Sequence, residues 1–395
     1  MEFVIQLFEG GDAVLSTPRS TLRTGNGFTR HNPRAPRRWI LCSLLCANAC
    51  HSGSSGGSTP ASHTTGSSRS GDATSRPNGT AVGAPHLPLV RVSDVDLPGD
   101  ATRFDYQDID PGLGHLVIAH MNDGAVLIVD LTDGSVLKQL MGIPVARGVV
   151  VADDAGIVFV TSSPQQLVLI DNKSLSEIRR VDTGNGPDGV GWDPMHKVVG
   201  VSDQGDGALS LITDSGSGAR TQVKVGSETG NVVFDASRGW FWITAVTTKP
   251  PDQLVAVDPV AAQIKAKIDL PGCRGAHGLR LHPDGQSAFI ACESNNVLAR
   301  VELGGAHAVT TAATGDGPDV LSIDPGLGWL YVAAESGDLT VFDINRKGVT
   351  LVGHDKPGDN AHSVAVDPVT HRVFFPLMAG PKGTPILRIM RPTGA

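Results

Sequence analysis

From about residue 100 onward, apolar residues come in short runs, and successive pairs of runs are joined by a turn written Asp-Pro or an equivalent. The clearest copies are Val320-Leu321-Ser322-Ile323-Asp324-Pro325 with Trp329-Leu330-Tyr331-Val332, and Val364-Ala365-Val366-Asp367-Pro368 with Arg372-Val373-Phe374-Phe375. Short β-branched and aromatic runs bounded by turn residues predict paired strands. No apolar stripe of helical period interrupts them, and no apolar run is long enough to cross a bilayer as a helix. The turn residue recurs at Asp110, Asp153, Asp193, Asp235, His282, Asp324 and Asp367, at spacings of 43, 40, 42, 47, 42 and 43 residues. A strand-built period in the low forties predicts β-propeller blades of about four strands each. Seven copies predict an all-β, seven-bladed ring.

The same pattern predicts how the ring closes. The last repeat supplies strands at Ser363–Val366, Arg372–Pro376 and Ile386–Ile389, one short of a full blade. Ahead of the first repeat, Leu89-Val90-Arg91-Val92 is a strand without a hairpin partner. Pairing it with the last blade removes two open sheet edges and locks the ring.

Repeats such as Gly-Pro-Asp-Val-Leu-Ser-Ile-Asp-Pro-Gly-Leu-Gly-Trp-Leu-Tyr-Val-Ala-Ala (317–334) resemble the YVTN-type bacterial β-propeller repeat over about residues 100–395. The resemblance implies an exported seven-bladed scaffold. It implies no catalytic residue.

Composition changes the picture only at the N-terminus. Arg34, Arg37 and Arg38 precede the apolar stretch Trp39–Cys46, which closes on Ala47-Asn48-Ala49-Cys50. A basic region, a short apolar core and small residues make an export signal. Ala49-Cys50 resembles a lipobox, so Cys50 is the candidate lipidation site, with simple cleavage as the alternative. Residues 1–50 are thus read as an N-terminal extension and signal. Residues 51–86, rich in Ser, Gly, Thr and Pro, cannot bury a core and read as a disordered linker. The propeller occupies 87–395.

Loss of the signal removes Cys42 and Cys46, and lipid on Cys50 leaves Cys273 and Cys292, an even pair suited to an oxidising compartment. Hairpin register places Cys292 opposite His277, with Cys273 in a Pro-Gly loop that can fold back over it. A disulfide is expected; two free thiols or a metal site with His277 are the alternatives. The net charge is −8, and removal of residues 1–49, with six Arg against three carboxylates, takes it to −11. An acidic surface of this kind excludes nucleic acid as a partner. The expected protein is a monomer in the periplasm or outer envelope, touching membrane only through an N-terminal lipid.

Function has to be sought where the blades meet the central channel. Five residues before each turn anchor stand Asp105, Gly148, Asp188, Gly230, His277, Asp319 and His362, with Arg147 and Asn231 beside the two glycines. The outgoing ends of the second strands add His120, Asp203, Glu293 and Glu335. Repeat symmetry alone would place one residue type at all seven positions; ionisable side chains of both signs stand there instead. Asp105, His120, Arg147, Asp188, Asn231, His277, Asp319 and His362 are therefore the candidate ligand-binding set. His277, Asp319, His362 and Asp105, from adjacent blades, are the candidate ligands of a divalent metal. The bland reading is that such Asp and His residues cap backbone N–H groups or hold blades together.

The repeats contain no G-x-S-x-G elbow, H-E-x-x-H or P-loop. Two functions stay open. One is binding of a small molecule or protein at the acidic mouth, with no cofactor required; the other is a metal-assisted lactonase or other hydrolase, or a lyase, using the same residues.

Overall fold

Each repeated acid builds its own hairpin. Asp324 Oδ1 accepts the backbone N–H of Gly326 and Leu327 at 2.9 and 3.1 Å, Asp193 those of Met195 and His196, and Asp235 those of Ser237 and Arg238. Asp110 and Asp367 cap Leu113 and Val369 in the same way. These aspartates recur because a carboxylate satisfies turn N–H groups that the strand ladder leaves open.

The computed structural model describes residues 86–345 and 348–394. The expected export signal, Cys50 and the expected linker through residue 85 lie outside them. Seven four-stranded antiparallel sheets follow one another along the chain. The innermost strands are Gln107–Asp110, Val149–Ala152, Pro187–Asp193, Glu228–Asp235, Ala276–Leu281, Pro318–Asp324 and Ala365–Val366. Each touches the innermost strand of the next blade, and the seventh returns to the first. The protein is a seven-bladed β-propeller. Blade seven is completed by Leu89–Asp96, which runs antiparallel to Ile386–Pro392 from Leu89 opposite Pro392 to Asp96 opposite Ile386. Its innermost strand is shorter than the expected Ser363–Val366, because the Gln107 amide of blade one donates to Ser363 Oγ and to the Phe374 carbonyl.

Apolar side chains collect between blades. Among the described residues they form seven clusters, one at every blade-to-blade interface, including that between blades seven and one. Trp192, Trp240, Trp242 and Trp329 all belong to this packing. Because every blade buries both faces, the strands read as continuous apolar runs rather than alternating ones.

Two local devices shape the channel. The first is a β-bulge where the innermost strand begins, between Pro187 and Val190, Thr229 and Val232, Ala276 and Leu279, and Pro318 and Leu321. A bulge re-aims the side chain it carries, and the bulged stretches hold Asp188, His277 and Asp319. The second is glycine where neighbouring backbones nearly touch. A Cβ on Gly278 would sit 1.8 Å from the Asp319 carbonyl oxygen, and one on Gly148 2.2 Å from that of Asp188.

The bulge also corrects the expected register in blade five. Cys292 pairs with Ala276, one residue earlier than simple hairpin counting gives. The shift brings Cys273 within reach, and Cys273 and Cys292 form a disulfide with Cα atoms 5.3 Å apart. Both are buried in the cluster between blades four and five. The bridge closes a loop of 19 residues, which in chain-entropy terms stabilises by about 3 kcal/mol.

Candidate functional site at the channel mouth

Bulges and incoming loops from five blades converge on a cavity of about 370 Å³. It is lined by Arg103, Asp105, Met121, Asn122, Arg147, Asp188, Gln204, His277, Glu293 and Asp319. Only Met121 is apolar. Blades two and four present Gly148 and Gly230 at the equivalent positions, which leaves room for the side chains of their neighbours.

His277 stands at the centre. Its Nδ1 lies 2.9 Å from Asp319 Oδ1 and its Nε2 3.1 Å from Asp188 Oδ2, so one ring spans blades three, five and six. Burial alone would lower its pKa, but the two carboxylates overcome this and raise it well above the ordinary imidazole value. His277 is an imidazolium held between anions. Asp319 answers in the opposite sense: burial pushes it up, yet the His277 bond and charge, with Arg103, hold it below the ordinary carboxylate value.

Around this clamp the charges alternate. Arg103 makes a two-pronged contact with Glu335, at 2.6 and 2.8 Å, and places the same guanidinium 3.8 Å from Asp319 Oδ2. Arg147 donates to Gln204 at 2.9 Å and lies 3.7 Å from Asp188. Tyr106 donates to Asp319 Oδ1 at 3.3 Å. Burial, and then the charges of Asp319 and Asp188, push the Asp105 carboxyl well above the usual range. The Arg103 and Arg147 charges pull its pKa down without prevailing. Glu293 is raised by burial and by the surrounding carboxylates.

His362 reaches Asp105 and Asp319 from blade seven. It is 1% exposed, and neither ring nitrogen makes a hydrogen bond of normal geometry, although the Asn360 backbone lies near enough to favour its charged form. Burial and the Arg103 charge lower its pKa, so the ring is neutral. Two histidines at equivalent blade positions thus carry opposite protonation states.

The structure therefore brings together Asp105, Arg147, Asp188, His277, Asp319 and His362. His120 lies elsewhere, fully buried against Phe104 at 4.0 Å between ring centres and 3.1 Å from Thr102 Oγ1. Asp105 N donates to Ala119 O, which carries His120 one residue past the position simple pairing predicts. Asn231 turns its amide oxygen to the N–H of Val232 and does not line the cavity. Asp203 is taken by Gly184 N, Ser210 and Gln222. Of the outgoing strand ends, Glu293 and Glu335 contribute; the sequence reading passed over Arg103 and Tyr106. Arg103 stands two residues before Asp105, within the loop already singled out, and that spacing was its available signal.

Two further hollows flank the site. One of about 360 Å³, at blades four and five, shares His277 and Glu293 and adds Arg274. The disulfide immediately precedes both Arg274 and Glu293 in sequence and so fixes this wall. The other, about 410 Å³, lies at the turn end of the channel among Pro111, Pro283, Pro325 and Pro368. Larger as it is, it holds little convergent chemistry: both Asp108 oxygens are spent on Ile109 and Val151 N–H.

No family model and no curated protein matches this chain. Solved structures do. Hydrazine synthase of Kuenenia stuttgartiensis aligns with a TM-score of 0.62 at 16% identity, covering 73% of this chain and 94% of that one. Selenomethionine-substituted virginiamycin B lyase from Staphylococcus aureus aligns at 0.61 with 13% identity, covering 76% and 98%. A streptogramin B lyase structure aligns at 0.62 with 11% identity, covering 76% and 96%. At such identities the likeness carries the propeller fold alone.

The clamp makes a signed prediction about pH. A histidine whose pKa is raised on folding stabilises fully below its unfolded value, near 6.5, and loses that contribution as pH rises through the folded value. His277→Gln leaves two buried carboxylates facing each other and is expected to cost about 3–5 kcal/mol, the usual cost of breaking a buried ion pair from one side. Urea denaturation of wild type and variant should show the widest gap between pH 5 and 6.5, narrowing toward alkaline pH. A gap that widens as pH rises would refute the imidazolium assignment.

Proposed function

We propose that this protein is an exported β-propeller of the YVTN repeat type that binds a polar small molecule at the channel mouth. One observation carries the reading: nine of the ten residues lining the cavity are polar or charged, and they come from five separate blades. Here Arg103, Arg147 and His277 alternate with Asp188, Asp319 and Asp105 around a space large enough for a small metabolite. That alternation suits a ligand carrying both donors and acceptors, such as an amino acid or a sugar acid, and disfavours an apolar one. The walls are braced by the disulfide and by paired charges, so the site is formed before the ligand arrives.

A second reading, hydrolysis or elimination assisted by a metal, is favoured by the unpaired His362 beside Asp105, since burial favours the neutral form of each. A neutral imidazole and a neutral carboxyl in one enclosed site are a base and an acid ready for use. Two structurally similar proteins are lyases by name, but the likeness is one of fold.

Binding is tested by a thermal-shift and ligand-observed NMR screen of amino acids, sugar acids and other polar metabolites. Compounds that bind should lose binding in Arg147→Ala and Asp188→Asn. A screen without binders, or binders indifferent to both substitutions, would remove the reading. Export is tested separately: we propose that Arg34–Cys50 directs cleavage before Cys50 and lipid attachment there. The mass of the mature N-terminus should show a lipidated Cys50, and a chain retaining the residues before Arg34 would contradict it.

A further inference from the structure

His277 and His362 occupy matching positions in blades five and seven, yet only His277 has partners. Leaving an imidazole 1% exposed with neither nitrogen in a normal hydrogen bond is costly, because buried polar atoms ordinarily find partners. Asp105 and Asp319 lie directly before it, and one ligand atom from each of the three residues falls within 4.8 Å of the others. Two buried carboxyl groups and an imidazole with no hydrogen bond of its own thus turn donor atoms toward one shared point.

We propose that Asp105, Asp319 and His362 together bind one first-row divalent cation of the zinc or manganese class. The donor set of two carboxylate oxygens and one imidazole nitrogen suits such ions, whose bonds of ~2.1 Å to N and O donors would draw the three atoms to within about 4 Å of one another. Asp319 can serve both neighbours, since its Oδ1 faces His277 and Tyr106 while Oδ2 faces only the Arg103 guanidinium at 3.8 Å. The competing trio His277, Glu293 and Asp319 has similar spacing. It fails on chemistry: both nitrogens of His277 are turned to carboxylates, at 2.9 and 3.1 Å, so no lone pair is left for a metal. With three protein donors the ion keeps open positions, and Asp105 and Asp319 line the cavity. A bound ion would therefore offer a ligand oxygen a direct anchor. The inference rests on reading the mouth as a binding site and deepens it by naming what anchors the ligand.

The test uses the full chain without an affinity tag, stripped with chelator and titrated with ZnCl₂ and with MnCl₂ by calorimetry. One of the two should bind at one ion per chain. Asp105→Asn and His362→Gln should each weaken it by at least about 100-fold, the upper end of what losing even an outer hydrogen-bond partner costs, while Glu293→Gln should leave the affinity within a fewfold of wild type. Thermal midpoints of the metal-free variants report whether they fold. Independently of any variant, an anomalous difference map from a wild-type crystal soaked in the same salt should place the ion on a ring nitrogen of His362. No stoichiometric ion from either salt, an ion on His277 and Glu293, or loss of binding in Glu293→Gln overturns the proposal. Small-molecule binding that survives chelation would overturn it while leaving the binding reading intact; absence of any small-molecule binder alongside a bound ion would do the reverse.

Discussion

A single imidazolium joins three blades across the channel, and the character of the mouth follows from it. His277 contacts Asp188 of blade three and Asp319 of blade six from its own place in blade five. The hold on Asp319 depends on the ring staying charged. With His277 charged, Asp319 is held ionised. An ionised Asp319 in turn pushes Asp105 toward its protonated form. The protonation pattern of the mouth is thus one coupled arrangement rather than a set of separate residues.

What lets three blades meet at one ring is the narrowness of the channel. Backbones approach so closely that only glycine fits at Gly148 and Gly278, and the Thr161 and Thr244 hydroxyls donate to the carbonyls of Asp188 and His277 in the neighbouring blades. The bulge at the start of the innermost strand turns Asp188, His277 and Asp319 inward in blades three, five and six without disturbing the apolar packing behind them. Seven similar interfaces hold the ring, so the residues at its centre are free to differ between blades. Stability and chemistry are carried by different parts of the same repeat.

The fold was legible because its signals are local and repeated. Asp-Pro turns, strand positions and the unpaired Leu89–Val92 strand each follow from backbone rules that act within a few residues. The site was legible in position but not in pairing. Counting from the turn anchors found Asp105, Asp188, His277, Asp319 and His362, because the repeat fixes where each innermost strand begins. It misplaced His120 and Asn231, since a bulge shifts register by one residue and nothing in the local sequence announces it. It passed over Arg103 and Tyr106, whose partners Glu335 and Asp319 lie more than 200 residues away in the chain. The disulfide was expected from cysteine count and loop geometry; the bulge that sets its register was not.

The central claim is that two histidines in equivalent positions differ, His277 charged and clamped, His362 neutral and free. Long-range ¹H–¹⁵N correlation spectra of the uniformly labelled, metal-free protein at pH 7.5, assigned with His277→Gln and His362→Gln, read this directly. The account predicts that both His277 nitrogens show protonated imidazolium shifts while His362 shows one protonated and one bare nitrogen. Neutral shifts for His277, or an imidazolium at His362, would contradict it.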